Sequence, residues 1–202
     1  FEKCIKKQLY GEAYLVRFAD DFLIMFQYER DAQRVYEAII KRMELFGLEL
    51  SKEKTRILPF GRNCGTRETF DFLGFTHFNS KTRKGYYSVG HKISRKKKKQ
   101  FKSNLKKWVK ENRTTQFDEF MKTLNKKLTG SFNYYSLSGM IREVRNLWNH
   151  AQYVTFKWLN RRSQRRSFKL ERFYEIWNDL IVHPYIHVDI WSGDKVIYNK
   201  NV

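Results

Sequence analysis

Cysteine and proline are nearly absent from this chain of 202 residues, with two of each. Cys4 and Cys64 stand far apart with no Cys-x-x-Cys spacing, which argues against a disulfide framework or a zinc site. That usage suits a reducing, cytoplasmic setting. No apolar run reaches the roughly 18 residues that a membrane span needs. No signal-peptide pattern opens the chain, and it begins with Phe rather than Met, so a preceding segment is expected. No Gly-rich phosphate loop and no Ser-His-Asp order stands out. Acids are the other scarcity: 21 Asp+Glu face 41 Lys+Arg, for a net charge of +20. Against that charge, 41% apolar and 17% aromatic residues exclude a disordered polyelectrolyte.

The charge divides the chain. Residues 1–91 sum to +4 and residues 92–202 to +16. The second part has the balance of a nucleic-acid binder, while the first resembles an ordinary globular segment. An anionic membrane surface is the competing partner, but no anchor accompanies the basic residues. Residues 92–113 alone hold eleven Lys/Arg and a single acid, Glu111. Such density on a helix that also carries an apolar stripe points to phosphate contact by counterion release, against the plainer reading of a solvated face.

The first part reads as α+β. Residues 14–26 hold two apolar runs around Asp20-Asp21, the pattern of a hairpin with an acidic tip. Two carboxylates there offer hard oxygens to a divalent metal, although turns also favour Asp for local backbone reasons. Asp31 is a candidate N-cap for a helix running to about Phe46, with Val35, Ile39, Met43 and Phe46 on one face and Gly47 as its stop. Leu48–Leu50 and Lys54–Leu58 read as short extended pieces, and Phe70–Phe75 as a strand. Lys81–Gly90 suits a linker or a hairpin.

From Ile93 onward the period is helical. Ile93, Lys97, Phe101, Leu105, Trp108 and Val109 trace one stripe, and Phe117, Phe120, Met121, Leu124 and Leu128 a second, with Gly130 as its stop. A third helix carries Met140 to Trp158, with Ser138 as a possible N-cap and Trp148 and Trp158 as core. A fourth runs from Leu170 to about Ile181, its stripe being Leu170, Phe173, Tyr174, Trp177 and Ile181. His183 and His187 have i,i+4 spacing, but Pro184 between them argues against a helical metal site.

Taken in order, Arg17-Phe-Ala-Asp-Asp-Phe, Leu50-Ser-Lys-Glu-Lys-Thr and Phe70-Asp-Phe-Leu-Gly-Phe resemble three consecutive blocks of reverse transcriptases, most closely those encoded by group II introns. Gly130-Ser-Phe-Asn-Tyr-Tyr and Trp158-Leu-Asn-Arg-Arg resemble the thumb, or maturase, region of the same family. The resemblance covers about residues 10–182. It implies the C-terminal part of a polymerase palm over residues 1–80, a linker or hairpin next to the primer grip over 81–92, a helical thumb/maturase bundle over 93–182 and a tail over 183–202.

The resemblance also implies roles. Asp20 is the catalytic Mg²⁺ ligand of a two-metal site and Asp21 its electrostatic support, with a further Asp and the fingers supplied from outside this chain. Residues 1–202 alone are then expected to be inactive. The family's motif begins with Tyr where this chain has Phe18, so the ring is kept and its hydroxyl lost. Lys54 stands where a lysine serves the leaving phosphates, or is a solvated lysine on a strand edge. Phe72 and Gly74 fall in the segment leading to the primer grip, where Gly74 would permit close backbone approach. Lys96, Lys97, Lys98, Lys99, Lys102 and Lys106, with Arg161, Arg162, Arg165 and Arg166, are the expected nucleic-acid contacts. Tyr134 is expected to pack, while Tyr135 is left open. The implied partners are an RNA template, intron RNA, a DNA primer and deoxynucleoside triphosphates. The alternatives are an RNA-binding maturase module without chemistry, or a reverse transcriptase adapted to defence or repair.

Overall fold

The computed structural model describes residues 1–51, 53–162 and 167–186. Arg165, Arg166 and His187 lie outside the described residues. The described chain contains two small antiparallel sheets, five α-helices and a short 3-10 turn at Lys6–Gln8. They fall into two compact units, one formed by residues 1–73 and 77–90, the other by residues 74–76 and the chain from His91.

In the first unit, Ala13–Phe18 (β1) pairs with Asp21–Phe26 (β2), with Ala13 opposite Phe26 and Phe18 opposite Asp21. Because side chains alternate between faces, Ala13, Leu15, Phe22, Ile24 and Phe26 share one face, which is buried or half-buried. Helix α1 spans Glu29–Leu45. Asp31 does not cap it. Tyr28 holds the N-cap position without a side-chain bond, and the Asp31 carboxylate is committed elsewhere: its Oδ2 accepts the N–H groups of Tyr10 (2.9 Å) and Gly11 (3.0 Å). Gly47 does stop the helix. Its φ of +65° lets the N–H of Leu48 return to the Met43 carbonyl (2.9 Å) and its own N–H to Glu44 (3.0 Å), a Schellman ending. Phe46, as the C-cap, has left the helical face and is exposed.

Neither extended piece after α1 becomes a strand. Lys54 closes a turn through its N–H to the Ser51 carbonyl (3.0 Å), so it stands on no strand edge. Side chains hold this segment instead. Arg56 donates to the Thr69 carbonyl (2.8 Å), and the Asn79 amide meets Gly61, Cys64 and Thr66.

The expected strand Phe70–Phe75 is broken in two. Thr69–Phe72 (β3) turns at Leu73-Gly74 into Phe75–Lys81 (β4), and Tyr87–Ile93 (β5) completes a sheet of order β3-β4-β5. Both turn residues have positive φ, +50° at Leu73 and +83° at Gly74, the signature of a type I′ connection. Residues 82–86 form the second hairpin loop, with the Thr82 N–H bonded to the Tyr86 carbonyl (2.8 Å). A Cβ on Gly90 would lie 2.4 Å from the Phe78 ring, so only glycine fits beneath that ring.

The second unit is helical: α2 Arg95–Asn112, α3 Phe117–Tyr135, α4 Ile141–Leu159 and α5 Leu170–Leu180. Ser94 caps α2, its hydroxyl accepting the Lys97 N–H at 3.4 Å. Gly130 does not end α3, because the buried series Leu124, Leu128, Phe132 continues past it and Gly130 itself faces solvent. Ser138 does not cap α4. Gly139, at φ +84°, and Met140 intervene, and the Ser138 carbonyl meets His91 Nε2 (3.0 Å).

Leu105 and Val109, Phe120, Leu124 and Leu128, Val144, Leu147 and Ala151, and Phe173 and Trp177 bring all four helices into one core. Each large side chain so buried contributes about 1.5–3 kcal/mol. Trp148 is buried and its indole N–H donates to Val182 (3.1 Å), whereas Trp158 is only partly covered. Leu170 and Tyr174 lie off the buried face of α5.

Candidate functional site

The β1–β2 tip has two loop residues, Ala19 and Asp20, and Asp21 opens β2. Ala19 has φ +50°, a conformation that costs a residue with a Cβ about 1–2 kcal/mol. The tip therefore carries local strain. Asp20 and Asp21 are both exposed, and no other described side chain bonds to either carboxylate. The face that Asp21 shares with Tyr14, Val16, Phe18 and Met25 is open to solvent, and Phe18 is 65% exposed. An aromatic ring thus stands directly across the ladder from a free carboxylate. Among the described residues no group of three or more His, Cys, Asp or Glu is poised to hold a metal. The acidic pair still fits part of a Mg²⁺ site, since such sites use one or two carboxylates and complete the shell with water and substrate phosphates.

Lys54 is exposed in its turn. Phe72 is half-buried, following the alternation of β3. At Gly74 the requirement is conformational. A Cβ would sit 3.5 Å from Lys97 Cγ and 3.7 Å from the Tyr135 hydroxyl, which is ordinary contact, so the positive φ rather than crowding demands glycine. The Gly74 carbonyl accepts the Ser94 N–H (2.9 Å), bonding the turn to the start of α2. Phe75 stacks on Tyr134 and meets Tyr135 edge-on, with centroids 5.7 and 5.6 Å away. Burial, then the neighbouring Tyr134, pushes the Tyr135 hydroxyl up, which keeps it a donor.

Along α2, Lys96, Lys97, Lys99, Lys102 and Lys106 are exposed, while Lys98 is half-buried and paired with Glu143 of α4. His150 of α4 is held below the ordinary histidine range by burial and then by the charge of Lys102. At the end of α4, Arg162 donates to the Leu159 carbonyl (3.2 Å) and lies over the Phe168 ring, leaving Arg161 the more exposed. The sequence reading passed over one feature: Lys110, Arg113 and Arg161 all lie within 5.4–5.7 Å of the Trp158 ring centroid. Its signal was present in the Lys110/Arg113 and Trp158/Arg161 spacings, each one helical turn.

In chain order, the hairpin with its two exposed carboxylates precedes a four-helix unit in the part of the sequence that carries most of the positive charge. Residues 1–77 match the family of reverse transcriptases (RNA-dependent DNA polymerases), and residues 98–175 match the maturase-specific domain of group II introns. No curated protein matches the chain. The chain belongs to the group II intron reverse transcriptase/maturase family, which joins RNA-directed DNA polymerase and intron-splicing roles.

Proposed function

We propose that the β1–β2 tip is the metal-binding edge of a reverse transcriptase palm, and that the helical unit is its thumb and maturase surface. The observation that carries the reading is the exposed, unengaged pair Asp20 and Asp21 on a hairpin inside the segment that matches reverse transcriptases. Asp20 is the Mg²⁺ ligand and Asp21 supports it electrostatically. Bound Mg²⁺ would supply activation of a primer 3′-hydroxyl and charge neutralisation at the nucleotide triphosphate. Phe18, across from Asp21, offers an apolar surface to the primer terminus and no hydroxyl for a polar contact. Lys54 balances charge on the leaving pyrophosphate. Phe72 and Gly74 belong to the primer grip, and the α2 lysines with Arg161 and Arg162 hold the backbone of template, primer and intron RNA.

In domain terms this is palm over 1–80, hairpin over 81–92 and thumb/maturase over 93–182. The absence of a membrane-crossing helix among the described residues, together with two unpaired thiols, fits a cytoplasmic setting. A polymerase centre of this kind needs a further carboxylate, which we place outside residues 1–202. Purified residues 1–202 are expected to bind structured RNA with steep salt dependence and to extend no primer on an RNA template with Mg²⁺. Extension that disappears on Asp20→Ala would overturn the second expectation. The other reading, an RNA-binding module without chemistry, draws on the same incomplete carboxylate set. It gains ground if Asp20→Ala leaves the titration of Mn²⁺ into the chain unchanged.

A further inference from the structure

Beyond α5 the chain leaves the helix and lies against α4, where three contacts fix it. The Val182 N–H donates to Asn125 Oδ1 (2.9 Å), and the Trp148 indole N–H donates to the Val182 carbonyl (3.1 Å). The His183 ring stacks on Trp148, with centroids 5.0 Å apart and planes 30° from parallel. Between this segment and α4 opens a cleft of about 580 Å³, within the roughly 300–1,000 Å³ of ligand sites. Arg145, Trp148 and Asn149 line it from α4, His183, Tyr185 and Ile186 from the segment, and no carboxylate is in its described lining. Arg145 and Asn149 are exposed, one helical turn apart, and no described group bonds to either side chain.

A solvated helix face explains an exposed arginine or an exposed asparagine singly. It does not explain why both border a cleft with an aromatic wall, nor why a helix interior keeps asparagine, whose amide competes with the backbone when nothing else binds it. The chemistry of the lining is specific. His183, backed by Trp148, and Tyr185 offer flat faces that suit a planar ring. The Asn149 amide holds an acceptor beside its donors, the pairing that meets the N6 and N7 edge of adenine. Arg145, about 6 Å away along the helix axis, offers a guanidinium fork to one anionic group. With no lysine and no second arginine in the described lining, that fork matches one phosphate rather than a triphosphate.

We propose that the cleft between α4 and residues 183–186 binds a free adenine nucleoside monophosphate, with the base stacked on His183 and paired with Asn149, and the phosphate held by Arg145. The ribose then spans the helical turn between the two side chains. The wall is formed before the ligand arrives, because the bonds at Val182 and the Trp148 stack already hold His183, so little ordering is left to oppose binding. This site shares no residue with the β1–β2 tip or with the cations of α2. It therefore goes beyond the polymerase and maturase readings, and its failure leaves both of them standing.

The test is a titration of the whole chain with adenosine monophosphate, followed by NMR at the Trp148 indole N–H and the amides of His183, Tyr185 and Ile186, with calorimetry for affinity. Saturable shifts are expected at those positions, with a dissociation constant between micromolar and millimolar. Guanosine and uridine monophosphates should bind about tenfold more weakly, because their edges do not match the Asn149 amide. Arg145→Gln should weaken adenosine monophosphate about tenfold, to the level of adenosine, and leave adenosine itself unchanged. Asn149→Leu should abolish the preference for adenine, and Arg142→Gln, outside the cleft, should change nothing. Circular dichroism melting checks that the variants fold, and the preference for adenine over uridine in the unaltered chain tests the site without any of them. Equal affinity for uridine monophosphate overturns the proposal, as does displacement by inorganic phosphate at the same concentration. Shifts confined to the α2 lysines, or an absence of saturation at millimolar nucleotide, also overturn it. So does a single-stranded oligoadenylate that shifts the cleft signals when the mononucleotide does not, since the cleft then belongs to the RNA surface.

Discussion

Asp31 holds two main-chain amides with a single oxygen, and that asymmetry decides how its substitutions behave. Oδ2 accepts from Tyr10 and Gly11 while Oδ1, equally buried, has no hydrogen-bond partner. Asp31→Ala removes a charged acceptor and strands two donors, so it should cost about 2–3 kcal/mol in urea denaturation. Asp31→Asn keeps one acceptor oxygen for both amides and should cost less. If the alanine variant loses no more than the asparagine variant, the pairing is not what holds the residues before β1. Cys64 offers a second residue-scale test. The Thr66 hydroxyl, then the Thr66 main-chain N–H, with help from the Asn79 amide, holds its thiol below the ordinary thiol range against the opposing effect of burial. That hydroxyl has one proton and a second acceptor, the Pro59 carbonyl at 3.1 Å, so the main-chain and amide contacts share the work. A depressed thiol favours the folded state above the ordinary thiol value and loses that contribution as pH falls through its own lower value. On a Cys4→Ser background, iodoacetamide should modify Cys64 with a midpoint below that of a free thiol, and Thr66→Val should move the midpoint upward.

Gly130 is an unforced weakness in α3. It lies inside the helix, faces solvent, and an added Cβ would meet nothing within 4 Å. Glycine in a helix interior costs about 0.8–1 kcal/mol relative to alanine, so Gly130→Ala should stabilise the chain by up to that amount, read as a higher urea midpoint at unchanged slope. A destabilised variant would mean that the residue serves a close approach made only with a partner. The misreading of Gly130 as a stop shows what the elements disclose in sequence. The stripes of α2 to α5 were legible because burial repeats every three to four residues, and Leu124, Leu128 and Phe132 simply outvoted the glycine. The acidic tip was legible because both its strands and its turn are local. What escaped depended on distant partners or on backbone angles. Asp31 answers to residues about twenty positions earlier. Leu73 accepts a positive φ that leucine does not advertise. The extended pieces after α1 found no strand to pair with, a fact of topology rather than composition.

Across the whole molecule the apolar side chains are unequally covered. Among the described residues, the fully buried apolar side chains of the first unit are only Ala13, Ala32 and Val35, whereas the second unit has a continuous cluster of eighteen. Most exposed large apolar residues fall in the first unit, including Tyr14, Val16, Phe18, Met25, Leu45 and Phe46. Hydrophobic stabilisation follows apolar area removed from water, so the unit that bears the acidic tip has the smaller margin against chain entropy. The charge has the opposite distribution, concentrated where the core is largest, so the basic surface rests on the sturdier scaffold. Unfolding should accordingly occur in two steps. The first unit holds no tryptophan, and the four described ones, Trp108, Trp148, Trp158 and Trp177, lie in helices of the second, so their indole fluorescence follows that unit. Amide hydrogen exchange in β1, β2 and α1 reports on the first. In urea at constant salt, exchange protection in those elements should vanish at a lower midpoint than the fluorescence transition, which should keep the larger slope expected of the larger buried surface. Coincident midpoints would show that the two units unfold as one, and that the hairpin draws its stability from the helical core rather than from its own few buried residues.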